Sequence, residues 1–203
     1  KSFLKDKEIY IIPPGIDCNT FRPIKKDRSE NINLGFVVAK SDFTNKGFDT
    51  LLNLIEYLDR TKQRQITITI VGELTKPLRM RMQHFSFVAY RSFVSNSSQL
   101  ARLFNTFDLF LNFSRSETFG KTNIEAQSCG VPILARNIPV FRENVKFGKL
   151  FDSDDPELLM QDIYNLLEIN WDRVEMHRNM RKIYHIDLLG ERYQQLYRSF
   201  YSD

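Results

Sequence analysis

The chain has 203 residues, of which 42% are hydrophobic and 27% charged, a composition typical of a globular protein with a hydrophobic core. Its formal charge of +4, from 29 lysines and arginines against 25 acidic residues, favours anionic ligands. The basic residues are scattered, whereas a nucleic-acid-binding module concentrates them on one face or in one run. Two widely separated cysteines, Cys18 and Cys129, support neither a disulfide scaffold nor a zinc site.

No apolar run of the sequence approaches the ~18 residues that a membrane-spanning helix needs. The chain opens at Lys1 without an initiator methionine. We therefore expect it to come from the middle of a longer protein, with targeting signals to be sought upstream of Lys1.

Short β-rich runs alternate with amphipathic runs up to about residue 135. The short apolar runs, rich in β-branched and aromatic residues, predict strands at 9–12, 32–39, 66–71, 85–90, 109–113 and 132–135. Apolar residues at helical spacing predict helices at 48–58, 100–107 and 121–129. Ser97 or Ser98 is the expected N-cap of the second helix, and Gly130 is expected to end the third.

Beyond residue 155 the pattern changes to helices alone. Asp155 and Pro156 form an N-cap followed by proline at the first helical position. The predicted helices cover 156–168, 171–183 and 187–201. The alternation before them predicts a parallel sheet of βαβ units, which right-handed crossovers wind into a doubly wound, Rossmann-like α/β fold. Ligands of such sheets bind beyond the carboxyl ends of the strands, so the loops at those ends are the candidate sites.

The segment FSRSETFGKTNIEAQSCGVP (113–132) is the most informative of these loops. Gly120 marks a strand-to-helix turn, which leaves Glu117 in the loop and puts Glu125 in the second turn of the helix. Backbone N–H groups at a helix start bind phosphates, and carboxylates accept hydrogen bonds from sugar hydroxyls, so a nucleotide-sugar suits this loop. The alternative is a solvated Glu117 and a Glu125 that only stabilises the helix start.

Two other loops carry candidate groups. The loop after the second predicted strand has Lys40 and Lys46 for phosphate oxygens and Gly47 for a tight turn, although both lysines would also suit a plain surface loop. Gly72, after the next strand, would let a ligand approach the backbone or would simply form a turn.

Several other chemistries lack their motif. His84, His177 and His185 have no metal-ligand spacing, and structural or solvated roles are expected for them. Ser114 and Ser116 lie outside any GxSxG elbow, and no GxxxxGK[ST] loop is present, which argues against a serine hydrolase and a P-loop ATPase.

Six short runs of the chain occur together in an order that resembles the retaining glycosyltransferases of family four, or group 1. They are IIPPGIDCNTFRP, KGFDTLL, ITIVGE, LARLFNTFDLFLNFS, SETFGKTNIEAQSCGVPILA and DPELLMQDIYNLL. These are two-domain enzymes of the GT-B architecture, and the resemblance is to their C-terminal, donor-binding half. It implies a linker and strand at 1–23, a Rossmann-like nucleotide-sugar-binding domain at 24–169, and helices at 170–203 that cross back to a missing N-terminal domain.

The resemblance also assigns roles to residues. Glu117 would contact the donor sugar, Glu125 the ribose, and Lys46 the diphosphate together with Lys40. The sugar-phosphate pocket and the base site would use Phe119, Gly120, Lys121, Thr122, Gly72, Ser92 and Val94. Two departures stand out: Ala39-Lys40 replaces the family's common Gly-Arg, which loses the planar guanidinium, and Gly72-Glu73-Leu74 lacks the second glycine of Gly-Asp-Gly.

The activity that the resemblance implies is transfer of a sugar from a nucleoside-diphosphate donor, with retained configuration, to a glycan or lipid-linked acceptor. No metal, cofactor or nucleic acid is expected, and the absence of a DxD motif agrees with this. The reaction would belong to polysaccharide biosynthesis in the cytoplasm, with peripheral contact of the full-length protein to the inner membrane face. The alternatives are a non-catalytic nucleotide-sugar-binding or partner module of the same fold, and, less favoured, a nucleotide-sugar epimerase.

Overall fold

The computed structural model describes residues 8–25, 31–38, 43–63 and 65–201. Six strands alternate with helices: β1 (Ile32–Val38), α1 (Phe48–Thr61), β2 (Ile66–Gly72), α2 (Lys76–Met82), β3 (Val88–Arg91), α3 (Ser97–Phe104), β4 (Leu109–Asn112), α4 (Lys121–Ser128), β5 (Ile133–Arg136), α5 (Pro139–Asn144) and β6 (Gly148–Phe151). Three helices follow, α6 (Pro156–Leu167), α7 (Arg173–Tyr184) and α8 (Ile186–Tyr201).

The strands form one parallel sheet in the order β3-β2-β1-β4-β5-β6. This is the doubly wound order of a Rossmann-like fold, so the predicted fold class is confirmed. Both faces of the sheet are covered by helices, which is why β1, β2 and β4 are almost continuously apolar. One core contains Phe36, Leu54 and Ile163, and the other contains Phe104, Ile124 and Met180.

Most predicted elements are found within one to three residues of their expected bounds. Asp155 caps α6 by accepting from the N–H groups of Glu157 and Leu158, with Pro156 at the first position. Gly130 follows α4 with a left-handed φ of 73°. Three short elements were not predicted from the sequence, namely α2, α5 and β6.

The strand predicted at 9–12 is wrong. These residues have no regular secondary structure, and Ile9 and Ile11 are 61% and 89% exposed. A strand needs a neighbour to take its backbone hydrogen bonds, and no described strand lies beside this run. The chain pairs only further on, where the Ile16 N–H donates to Tyr184 O (2.8 Å) and the Ile186 N–H donates to Ile16 O (2.9 Å).

Two boundaries also differ from prediction. The strand expected at 85–90 begins at Val88, because residues 83–87 form turns in which Phe85 and Phe87 pack against each other. The N-cap of α3 is Asn96, not Ser97 or Ser98, since the Asn96 side chain accepts a hydrogen bond from the Gln99 N–H (3.0 Å). Asparagine is as good an N-cap as serine, so the helix begins at the earlier residue.

Candidate functional site

The sheet order puts β1 next to β4, with the chain proceeding from β1 toward one edge and from β4 toward the other. This is the topological switch point, where the loops that leave the two strands separate and open a crevice. The loops concerned end at Gly47 and Gly120, where α1 and α4 begin. The two loops with the predicted charged groups therefore face the same crevice.

The structure brings Lys46 and Glu117 together, although they are 71 residues apart in the chain. The Lys46 Nζ donates to Glu117 Oε1, and the Ser114 hydroxyl donates to the same oxygen at 3.0 Å. The side chains are 22% and 17% exposed, so both remain accessible to a ligand. The two side chains are thus held by the protein while part of each stays exposed, as a ligand-binding ion pair requires.

The two loops are also joined by hydrogen bonds to their backbone carbonyls. The Arg115 N–H donates to Asn45 O (2.7 Å), and the Asn45 amide donates to Ser116 O (3.0 Å). Arg115 further forms a bidentate ion pair with Asp49 in the first turn of α1, at 2.8 and 2.7 Å. These contacts fix Lys46 relative to Glu117.

Two glycines make the close approach of the loops feasible. Gly47 has a φ of 67°, and a Cβ there would lie 2.3 Å from Phe113 O. Gly120 has a φ of 70°, and a Cβ there would lie 2.6 Å from the Phe141 ring. Any other residue would be strained at either position and would also collide with its neighbour.

Glu125 lies in the second turn of α4, as expected, and is only 5% exposed. Burial raises the pKa of its carboxyl group to about 7, and the nearby Lys121 ammonium opposes the shift. The Lys121 Nζ forms an ion pair with Glu125 Oε1 at 3.6 Å, one turn back on the same helix. A carboxylate has acceptor sites for several hydrogen bonds, so Glu125 has capacity to accept from a ligand as well as from Lys121.

The remaining predicted donor-binding residues lie at the same edge of the sheet. Lys121 and Thr122 form the first turn of α4, which has no side-chain cap. Phe119 is half-buried, with its ring against Tyr184 at a centroid distance of 6.0 Å. Ser92 and Val94 lie in the loop after β3, where Ser92 is exposed and Val94 is partly buried.

Gly72 has a structural reason for being glycine. A Cβ there would lie 1.8 Å from Val38 O, so the residue is required by the pairing of β1 with β2. Its carbonyl accepts a hydrogen bond from the Tyr90 hydroxyl at 2.9 Å. Lys40, with Ala39 before it, lies outside the described residues, so its predicted place beside Lys46 stays a prediction.

Sequence reasoning missed four buried amide side chains next to the site: Asn112, Asn123, Gln127 and Asn144. Asn112 donates to Asn123 (2.7 Å), Asn123 donates to Asn144 (3.1 Å), and Asn144 donates to Phe119 O. Gln127 donates to the carbonyls of Asn123 and Asn144, and accepts from the N–H groups that follow α5. The sequence signal that could have indicated them is the run of polar residues in α4, which lies between the buried strands β4 and β5.

The histidines do not form a site. His84 and His177 each place Nδ1 on a backbone carbonyl, and His185 is buried where Ile16 meets the start of α8. Across the described ranges, no group of three or more histidines, cysteines and carboxylates could hold a metal ion. None of the helices in those ranges is long and apolar enough to cross a membrane.

A cavity of about 690 Å³ lies toward the amino ends of β1 and β2, away from Lys46 and Glu117. Its walls include Asn33, Thr69, Arg102 and Asp108. The Thr69 hydroxyl donates to Asn33 Oδ1 (2.8 Å), and Asp108 accepts from the Asn33 N–H (2.7 Å). Asn33, Thr69 and Asp108 are thus already paired with one another, so we assign the site by charge and topology and not by cavity size.

Residues 23–183 match the family model of the group 1 glycosyl transferases. The chain belongs to this family. Two of the proteins that are similar to it are a mannosylfructose-phosphate synthase of Agrobacterium fabrum (29% identity, 77% of this chain, 40% of the relative) and a D-inositol 3-phosphate glycosyltransferase of Segniliparus rotundus (31% identity, 79% and 39%). The chain thus spans about two fifths of the length of these relatives.

Solved structures confirm the fold of this group 1 glycosyl transferase chain. The sucrose-phosphate synthase of Thermosynechococcus elongatus superposes with a TM-score of 0.77 at 20% identity, over 94% of this chain and 52% of that one. The Anabaena protein HepE, solved in complex with UDP and glucose, gives a TM-score of 0.73 at 18% identity, over 91% and 55%. At these identities the likeness shows the fold alone, that of one Rossmann-like half of a GT-B protein.

Proposed function

We propose that this chain is the nucleotide-sugar donor-binding domain of a retaining glycosyltransferase of family four. The observation that carries the proposal is the pairing of Lys46 with Glu117 across the switch point, beside the uncapped start of α4. A cation, a row of helix N–H groups and a carboxylate are the three groups that a sugar diphosphate needs. Membership in the group 1 family and the UDP found with HepE support the same ligand class.

The roles of the residues follow from their chemistry. Lys46 and the N–H groups of Gly120, Lys121 and Thr122 would bind the diphosphate, and Glu117 would accept hydrogen bonds from sugar hydroxyls. Glu125, a buried carboxylate paired with the Lys121 ammonium, would accept from the ribose hydroxyls. The loop after β3, with Ser92 and Val94, would contact the base, with Gly72 beside it.

The same groups would promote the reaction. Negative charge develops on the leaving diphosphate as the bond to the sugar breaks, and a fixed lysine with preorganised N–H groups stabilises that charge. We therefore propose transfer with retained configuration and without a bound metal. Lys40 would add a second cation to the diphosphate, and Glu117 would hold the sugar in place and not act as a general acid.

Part of the proposal concerns the rest of the protein. We propose that residues 1–23 form the linker, 24–169 the donor domain, and 170–203 helices that return to an N-terminal domain. In support, no residue of α8 is buried, and it exposes Tyr193, Tyr197, Phe200 and Tyr201. That domain would bind a glycan or lipid-linked acceptor of polysaccharide biosynthesis, in the cytoplasm or at the inner face of the membrane.

A thermal-shift screen of UDP-, GDP- and ADP-sugars tests the donor site, because a bound ligand raises the melting temperature by mass action. Lys46→Ala and Glu117→Ala should each weaken binding of the best ligand by roughly tenfold or more, the loss of a charge-assisted hydrogen bond. Arg81→Ala is a matched control, since Arg81 forms an exposed ion pair with Glu56 on α2 and α1. Unchanged isotherms for both site variants would contradict the assignment.

A further inference from the structure

Three asparagine side chains connect the two ends of the loop that carries Glu117. The Ser114 N–H donates to Asn112 Oδ1 at 3.3 Å, at the start of the loop. Asn112 then donates to Asn123, Asn123 donates to Asn144, and Asn144 donates to the Phe119 carbonyl at the end of the loop. Glu117 therefore lies within a segment whose first and last backbone groups are joined by one chain of amides.

The direction of every hydrogen bond in this chain of amides is determined by the two backbone groups at its ends. The Phe119 carbonyl can only accept, so Asn144 must present its NH₂ group there and its oxygen to Asn123. The Ser114 N–H can only donate, so Asn112 must present its oxygen there and its NH₂ group to Asn123. Amides that all donate in one sense strengthen one another, and only one arrangement satisfies all of them.

The burial of these amides makes the arrangement costly to break. Asn112, Asn123 and Asn144 are 6%, 0% and 2% exposed, so water cannot readily replace a lost partner. Asn144 comes from α5, and Asn123 comes from α4, so the loop after β4 is held from two further elements. Inside the loop, the Ser114 hydroxyl transfers this restraint to Glu117 Oε1.

We propose that Asn123 and Asn144 are positioning residues that set the place of Glu117 for the sugar of the donor. The inference rests on the proposed function, since it is Glu117 that would meet the sugar. Glu125 lies on α4 itself, outside the restrained loop. Loss of the amide chain should therefore affect the sugar contact more than the nucleotide contact.

Asn144→Asp, measured at pH 8 to keep the carboxylate ionised, tests this directly, because the ionised aspartate has nearly the same shape but cannot donate to the Phe119 carbonyl. Asn105→Asp is the matched control: Asn105 is 7% exposed, also donates to backbone carbonyls, and lies near the amino end of β4. Binding of UDP, GDP and ADP is compared with binding of UDP-glucose, GDP-mannose and ADP-glucose. Asn144→Ala provides the same loss of a donor without an added charge, should the aspartate variant not fold.

In the wild type, the best of these sugar conjugates should bind more tightly than its diphosphate. In Asn144→Asp that advantage should fall by about tenfold, the effect of losing one charged hydrogen bond, while the affinity for the diphosphate changes by less than about threefold. Backbone amides of 114–120 should exchange with solvent faster than in the wild type. Asn105→Asp should leave both the advantage and this exchange unchanged.

Equal weakening of the diphosphate and its sugar conjugate, or exchange in 114–120 at the wild-type rate, would overturn the inference and leave the donor site in place. A wild-type chain that binds none of the six compounds would overturn the proposed function, and this inference with it. The exchange measurement needs no ligand, so the two failures are distinguishable.

Discussion

Glu125 should make the stability of the protein depend on pH, and Glu125→Gln should remove that dependence. The folded protein holds the pKa of this carboxyl group at about 7, against an ordinary value of 4.5, because the side chain is buried. A raised pKa means that the folded state binds the proton more tightly than the unfolded state. Stability contributed by the protonated form is therefore complete at low pH and is lost as the pH rises toward 7.

The size of the effect follows from the shift. About 2.5 pKa units at 1.36 kcal/mol each give roughly 3 kcal/mol of unfolding free energy, lost between about pH 4.5 and pH 7. Glutamine has a similar shape and no charge, so the variant should lack this loss. Relative to the wild type it should become more stable by up to about 3 kcal/mol between pH 4.5 and pH 8.

Urea unfolding at half-unit steps from pH 4.5 to pH 8 measures the difference. Glu191→Gln is the control, because it makes the same chemical change at an exposed position on α8. The reasoning is refuted if the free energies of Glu125→Gln and the wild type stay parallel over the whole range. It is also refuted if the Glu191→Gln control shows the same divergence from the wild type.

Three further predictions concern the same site. In calorimetric titrations, donor binding to the wild type should strengthen as the pH rises through about 7, because hydroxyls donate to the ionised Glu125. Glu125→Gln should bind the donor more weakly, and its affinity should not change with pH in this range. Gly120→Ala should lower the free energy of unfolding in urea by about 1–3 kcal/mol, because φ is 70° and the added Cβ would collide with the Phe141 ring. Gly190→Ala, whose Cβ would meet nothing within 4 Å, should raise it by about 0.5–1 kcal/mol because alanine is the better helix former in α8. The purified 203-residue chain should bind a nucleotide-sugar but transfer nothing to added acceptors, and turnover in a product assay would show that a second domain is not needed.

The long elements could be predicted because the residue pattern of each is typical of one kind of secondary structure. The run from Ile66 to Val71 is β-branched throughout, and Phe48–Thr61 places its buried residues on one helical face. The short elements lacked such a signal. In α2 the only buried residue is Met82, and β6 has four residues, too few for a period to show. Both take their structure from neighbours that a local pattern does not contain.

The error at 9–12 has the same origin. Ile9, Tyr10, Ile11 and Ile12 have high β-propensity, but this propensity expresses a fit to neighbouring strands more than a preference of the backbone. No described strand is available there, and two prolines follow at once. The run is instead left exposed, with Tyr10 packed edge-on against Phe200 of α8.

The candidate site likewise contains residues that could be predicted from the sequence and residues that could not. Lys46 and Glu117 could be proposed from the sequence because their loops follow strands and carry glycines, and resemblance to a family supplied their roles. The amides could not, because asparagine and glutamine in a helix usually mean a solvated surface. Asn123 and Gln127 are instead 0% exposed, each with several partners from distant elements. Their importance is a property of the assembled fold, in which a buried polar group must find a partner. The amides that run through Asn123 end on the Ser114 N–H and the Phe119 carbonyl, at the two ends of the loop that carries Glu117.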